Sequence, residues 1–298
     1  MGRAPAAERG TLTVLGCDGS YPGPGGAASG YLVEVAGVAV WLDAGPGTFA
    51  NLQLVSNPRA VDAVILSHEH PDHWSDVDSY AVWLRERGAA RPVPVYAPPG
   101  LRERSYFGED PVFDWHEVEP SQRIALGPRG GGARGDGAHG GGDGAHGGGD
   151  GAHGGGDGAH GRGDGAHGGG DGVLCSFSVT DHGPPTLAVR LDVSGWTGPD
   201  PVGSLAYSAD TGPGWSPEEL GPGIELLLCE ATYTRDHEGE ARHLSGRQAG
   251  RAALSAGVGR LVLTHRRPSI AEGALVAEAD EAFGRPVHLA APGRVFEW

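Results

Sequence analysis

The 298-residue sequence predicts an α/β or α+β fold built on a mixed β-sheet. Two observations carry that expectation. Short apolar runs alternate with segments of helical periodicity along the chain. The alternation also occurs twice, as two β-then-α halves on either side of a Gly-rich repeat.

In chain order, residues 11–16, 30–35 and 38–43 read as strands, and 48–56 as a short helix behind a Gly-rich turn. Residues 61–67 form the next predicted strand. Residues 75–86 are predicted helical, carrying Val77, Tyr80, Val82, Trp83 and Leu84 toward a core. A strand at 93–97 ends at the Pro98-Pro99 break. Beyond the repeat, strands are expected at 173–180, 187–192, 204–208 and 224–229. A helix over 246–256 has Ser245 as its N-cap, a strand covers 260–264, and 271–283 is helical.

Residues 130–172 stand apart. From Gly135 the unit Gly-Asp-Gly-Ala-His recurs every seven residues, giving His139, His146, His153, His160 and His167. More than half of the segment is Gly and no residue in it is large and apolar, so burial cannot offset the entropy of ordering it. Two readings stay open: a flexible low-complexity loop, or a tether that chelates zinc or nickel weakly. Either way it is expected to interrupt one domain, residues 11–298, rather than divide it. Residues 1–10 are expected to be a flexible lead-in.

Composition narrows the function. Net charge is −16, with 38 acidic against 22 basic residues, so there is no electrostatic footprint for long nucleic acids. Three cysteines without CxxC spacing, Cys17, Cys175 and Cys229, exclude a disulfide framework and fit core packing. No segment has the length and apolarity of a membrane span and no signal peptide is visible, so a cytoplasmic protein is expected.

The chemistry concentrates in Ser67-His68-Glu69-His70-Pro71-Asp72-His73, directly behind Val64-Ile65-Leu66. A strand ending there would present His68 and His70 on one side, because strand side chains repeat every two residues. The following turn would aim Asp72 and His73 at a second point. Neutral imidazole and carboxylate suit zinc, iron or manganese, and two adjacent ligand groups suggest two ions.

This pattern resembles the metallo-β-lactamase superfamily. Asp43-Ala44-Gly45-Pro46-Gly47 matches its DxGxG turn, and Asp181-His182-Gly183, Ser208-Ala209-Asp210-Thr211 and Leu263-Thr264-His265 follow in the superfamily's order. The resemblance implies a four-layer αββα sandwich of two mixed β-sheets flanked by helices. It also implies two divalent ions, zinc or else manganese or iron. The first would take His68, His70, His182 and Asp210; the second Asp72, His73, His265 and, again, Asp210.

Two further segments resemble ribonuclease Z and its relatives: Leu228-Cys229-Glu230-Ala231-Thr232-Tyr233, and the stretch from His243 to Gly250. They imply that His243 assists phosphodiester cleavage with Glu230 orienting it; Asp72, as an expected ligand and neighbour of the attacking water, is able to receive its proton. Ribonuclease Z generally carries a basic arm between the positions of His182 and Asp210. Here that interval is 183–209, whose charges are Arg190, Asp192 and Asp200.

The segments 15–20, 28–32 and 243–257 resemble bacterial cyclic-nucleotide phosphodiesterases of the same superfamily. The expected activity is therefore hydrolysis of a small, cyclic AMP-like phosphodiester. Ribonuclease Z-like tRNA processing is the alternative, and a non-catalytic metal- or nucleotide-binding regulator a second one. Relatives often dimerise, though no segment declares an interface. One departure is Thr264-His265-Arg266-Arg267-Pro268, where relatives carry an apolar residue and two prolines after the His; the two arginines are open between phosphate contact and solvation.

Overall fold

The protein is described by a computed structural model covering residues 9–89, 91–128, 172–194 and 203–298. The first half runs β1 (Thr11–Gly16), β2 (Gly30–Val35), β3 (Val38–Ala44), α1 (Thr48–Val55), β4 (Ala63–Ile65), α2 (Pro71–Trp74), α3 (Asp76–Arg87), β5 (Val93–Ala97) and β6 (Phe113–Glu117). The second runs β7 (Arg123–Leu126), β8 (Gly172–Val179), β9 (Leu187–Ser194), β10 (Ser204–Tyr207), β11 (Ile224–Glu230), α4 (Gly246–Ser255), β12 (Arg260–Thr264), α5 (Glu272–Phe283), β13 (His288–Leu289) and β14 (Val295–Glu297).

The strands form two seven-stranded mixed sheets, β14-β1-β2-β3-β4-β5-β6 and β13-β12-β11-β10-β9-β8-β7. β14 returns to the first sheet and pairs antiparallel with β1. Alternation along the strands explains the layering. In β3, Val38, Val40 and Leu42 join Val189, Leu205 and Leu228 of the second sheet in one buried cluster. The intervening Ala39 and Trp41 pack with Phe49 of α1 and Tyr80 and Leu84 of α3. In β11, Leu227 and Cys229 turn outward onto Ala249 and Ala253 of α4 and Leu275 of α5. Helix, sheet, sheet, helix is thus the expected four-layer sandwich.

Several local expectations are met. Ser245 caps α4 through a capping box with Gln248. All three cysteines are buried and unpaired, with burial, the largest influence, pushing the Cys17 and Cys229 thiols up to about 12.

Others need correction. The strand expected over 61–67 is assigned only at Ala63–Ile65, so His68 and His70 leave from the loop behind it. Val82 is 44% exposed, and Ala81 takes the core-facing place expected for it in α3. β6, β7, β13 and β14 are strands beyond those the sequence pattern predicts. Gly10, assigned to the flexible lead-in, exchanges two backbone hydrogen bonds with Trp298. The repeat lies outside the described residues except for Gly172, which opens β8.

The arrangement positions a site at one end of the strands. β3 to β6 are mutually parallel, as are β10 to β13. Parallel strands leave their carboxyl ends free for side chains that serve ligands. Asp43 is the penultimate residue of β3, the 66–73 loop follows β4, Asp210 follows β10, Glu230 ends β11 and His265 follows β12.

Candidate metal centre

The seven donor residues singled out in the sequence converge in two groups around Asp210. On one side, His70 Nδ1 lies 3.0 Å from His68 Nε2 and 3.2 Å from His182 Nε2. Asp210 Oδ2 completes the group, 3.6 Å from His68 Nε2 and 3.8 Å from His182 Nε2. On the other side, Asp210 Oδ1 is 3.3 Å from both His73 Nε2 and His265 Nε2. Asp72 Oδ2 lies 3.5 Å and 3.3 Å from the same two nitrogens.

These donor atoms fit cations. His73 Nε2 and Asp210 Oδ1 are buried without any hydrogen-bond partner, a costly state for polar atoms unless something positive lies between them. His68, His70, His182 and Asp210 place one ligand atom each within 4.8 Å of one another, as do Asp72, His73 and His265. Mixed imidazole and carboxylate is a borderline donor set that zinc accepts readily.

Protonation states follow the same logic. Burial, with the charge of His73, holds the His68 imidazole well below its ordinary range, in the neutral form that ligates. For Asp72, burial works against the charge, but the hydrogen bond from His265 and the charges of His73 and His265 prevail and keep it ionised. Asp210 is likewise held well below the carboxylate range, by His265, His73 and His68 against the effect of burial.

A second ring of contacts fixes the ligands, and most of it was not read from the sequence. Asp43, noted only as part of a turn, accepts from the Ser67 amide at 2.7 Å, Ser67 Oγ at 2.8 Å, Tyr207 O–H at 2.8 Å and His73 Nδ1 at 2.7 Å. Ser67 Oγ also lies 3.0 Å from His68 Nδ1. These contacts select the tautomers whose Nε2 lone pairs point inward. His182 Nδ1 is 3.2 Å from the Arg242 carbonyl, and Thr232 Oγ1 is 2.9 Å from His265 Nδ1. Tyr31 O–H meets Thr264 Oγ1 at 2.6 Å, tying β2 to the strand that delivers His265. The signal for Asp43 was a carboxylate ending an otherwise apolar strand.

Backbone geometry is specialised at the same points. Asp43, Ala209 and His265 all have φ of 52°, unusual for residues with a Cβ and concentrated here at strand ends. Gly45 is a close-approach position: a Cβ there would lie 2.0 Å from the Asp72 carbonyl oxygen. A Cβ on Gly19 would fall 2.5 Å from the His265 carbonyl oxygen. The loop carrying Gly19 also donates the Ser20 amide to Asp72 Oδ2 at 2.8 Å.

His243 and Glu230 sit beside both groups. The His243 ring centroid is 5.1 Å from that of His182 and stacks on His265 at 5.4 Å. Its Nδ1 lies 2.9 Å from Glu230 Oε1. Glu230 is fully buried and also accepts from the amides of Thr211 and Leu244 and from Thr232 Oγ1. It is therefore a saturated positioning carboxylate. Burial opposes charge on His243, but the charge and hydrogen bond of Glu230 prevail and raise it to about 9.

The two arginines behind His265 part company. Arg266 is held 3.6 Å from Asp18 and 3.1 Å from Glu272. Arg267 places its guanidinium over the Tyr233 ring, 5.5 Å from the centroid.

Residues 39–135 match the family described as beta-lactamase superfamily domain. An uncharacterised protein of Mycobacterium leprae is 32% identical over 305 residues, covering 96% of this chain and 88% of that protein. A ribonuclease Z of Halorubrum lacusprofundi is 28% identical, with 96% of each chain covered. Among solved structures, the metallo-beta-lactamase fold protein YhfI of Bacillus subtilis superposes with a TM-score of 0.73 at 23% identity, over 97% of this chain and 99% of that one.

Proposed function

We propose that this chain, which belongs to the β-lactamase superfamily and has the metallo-β-lactamase fold, is a two-metal phosphodiesterase acting on a small cyclic nucleotide such as 3′,5′-cyclic AMP. The observation that carries the reading is the Glu230–His243 pair at 2.9 Å, set against rings of both donor groups. A metal centre with a charged imidazole at its edge suits a reaction whose leaving oxygen needs a proton.

Two divalent ions, zinc or alternatively manganese or iron, would be held by His68, His70, His182 and Asp210 on one side and by Asp72, His73, His265 and Asp210 on the other. When bound, they supply Lewis acidity toward the phosphoryl oxygens and a lowered pKa for water. The chain's own groups do the rest. Asp72, kept ionised by its histidine neighbours, takes the proton of the attacking water. His243, gripped at Nδ1 by Glu230, offers Nε2–H to the departing ribose oxygen. Asp43, Ser67 and Thr232 hold the ligand rings so that nothing reorganises as charge moves.

A small substrate suits the acidic chain, and the 183–209 interval provides no basic arm for RNA. Precursor tRNA is the second reading, favoured by the similarity to a ribonuclease Z. Hydrolysis of 3′,5′-cyclic AMP and of 3′-extended precursor tRNA by metal-loaded protein, with Asp210→Ala as the blank, separates the two. Turnover of cyclic AMP alone supports the proposal; cleavage of tRNA alone sinks it.

A further inference from the structure

We propose that Arg267, supported on the ring of Tyr233, binds the phosphate-bearing end of the substrate and product and so sets the site's preference for anionic esters. The inference rests on the phosphodiesterase reading above and adds a recognition residue that takes no part in holding metal.

Four observations carry it. Arg267 follows the donor His265 by two residues, so its backbone is anchored at the edge of the centre. Its guanidinium lies over Tyr233, whose ring is 6.0 Å from His243 in an edge-on contact, and His243 is itself packed on His182 and His265. Among the described residues no carboxylate pairs with Arg267, whereas its neighbour Arg266 is held by Asp18 and Glu272. Finally, Arg267 is half-buried in a chain of net charge −16 and keeps its guanidinium without a paired carboxylate among the described residues.

The physical role follows from the guanidinium. It is always charged, offers a planar fork of donors to phosphate oxygens, and keeps one face on an aromatic ring while its edge donates. Tyr233 is buried and has His237 stacked at 6.2 Å, so its ring is a rigid support rather than a mobile one. Restricting the guanidinium in this way lowers the entropy lost when an anion is captured.

The test is equilibrium binding of 5′-AMP to metal-loaded, full-length protein by calorimetry, for the wild type, Arg267→Ala, Arg267→Lys and Tyr233→Leu. Steady-state kinetics on 3′,5′-cyclic AMP and bis(4-nitrophenyl) phosphate run in parallel. The expected result is tenfold or greater weakening of AMP binding in Arg267→Ala, partial recovery in Arg267→Lys and an intermediate loss in Tyr233→Leu. In the two Arg267 variants KM should rise with kcat within about threefold, and thermal stability and bound metal should match the wild type.

Equal AMP affinity in wild type and Arg267→Ala, absence of AMP binding by the wild type, or loss of metal in Arg267→Ala would each overturn the assignment. AMP binding that depends on Arg267, without turnover of either diester, would leave the recognition role standing and sink the phosphodiesterase reading instead.

Discussion

Asp43 Oδ2 lies 2.7 Å from His73 Nδ1, and the same oxygen accepts the hydroxyl of Tyr207 from the opposite sheet. One buried carboxylate thereby joins β3, β10 and a candidate ligand. The contact places the His73 proton on Nδ1 and leaves Nε2 for the centre. Asp43→Asn removes an acceptor from a point where four donors converge. A loss of about 10- to 100-fold in metal affinity is expected, the usual cost of removing such a partner, measured by competition with a chromogenic chelator. Tyr207→Phe leaves the His73 contact in place and should cost about 1 kcal/mol of stability in denaturant unfolding, with metal affinity little changed.

Metal removal should destabilise the fold. His73 Nε2 and Asp210 Oδ1 are buried and unpartnered, beside a second carboxylate and several imidazoles. Any ion that binds only the folded chain adds RT ln(1 + [L]/Kd), about 4 kcal/mol at a thousandfold excess over Kd. Scanning calorimetry with and without chelator should therefore show a large fall in Tm on chelation. Asp210→Ala, which deletes the residue common to both groups, should abolish most of that difference.

The Glu230–His243 pair gives a pH signature. With its pKa raised to about 9, His243 is charged at neutrality and loses its proton as pH rises through that value. An acid role therefore predicts activity that declines on the alkaline side. The pair's contribution to stability has the same sign: it is fully present below the unfolded value near 6.5 and is lost as pH rises through the folded one. Glu230→Gln should move the alkaline limb of kcat/KM to lower pH. It should also lower stability, because the amide would point a donor at groups that already donate. His243→Ala should retain metal and lose about 10²- to 10⁴-fold in kcat.

Close backbone approach provides a further check. Gly45→Ala would push a methyl into the Asp72 carbonyl and displace the loop that carries four donors, His68, His70, Asp72 and His73. Metal content by elemental analysis should fall, together with stability. Gly127→Ala, where a Cβ meets nothing within 4 Å, should behave as the wild type.

The donor residues were legible because they are clustered in sequence or end apolar runs. His68, His70, Asp72 and His73 fall within six positions; His182, Asp210 and His265 each follow a strand. What was not legible depends on contacts between distant segments. The Tyr207–Asp43 and Tyr31–Thr264 hydrogen bonds span 164 and 233 residues, and no local pattern announces them. Thr232 looks like any strand-end Thr until His265 is placed beside it. The strands at 113–117 and 123–126 are short sheet edges whose alternation rests on two apolar residues each, Phe113 and Trp115 in one and Ile124 and Leu126 in the other, too brief a pattern to mark a strand. The strand expected to end at Ser67 leaves the sheet at Ile65, yet the loop behind it still brings the His68 and His70 rings to one point.

The central claim is a pair of ions sharing Asp210, and anomalous diffraction from crystals grown with zinc tests it most directly. Two anomalous peaks should flank the Asp210 carboxylate, one among His68, His70 and His182 and the other among Asp72, His73 and His265. A single peak, or peaks bound elsewhere with this centre empty, would contradict it.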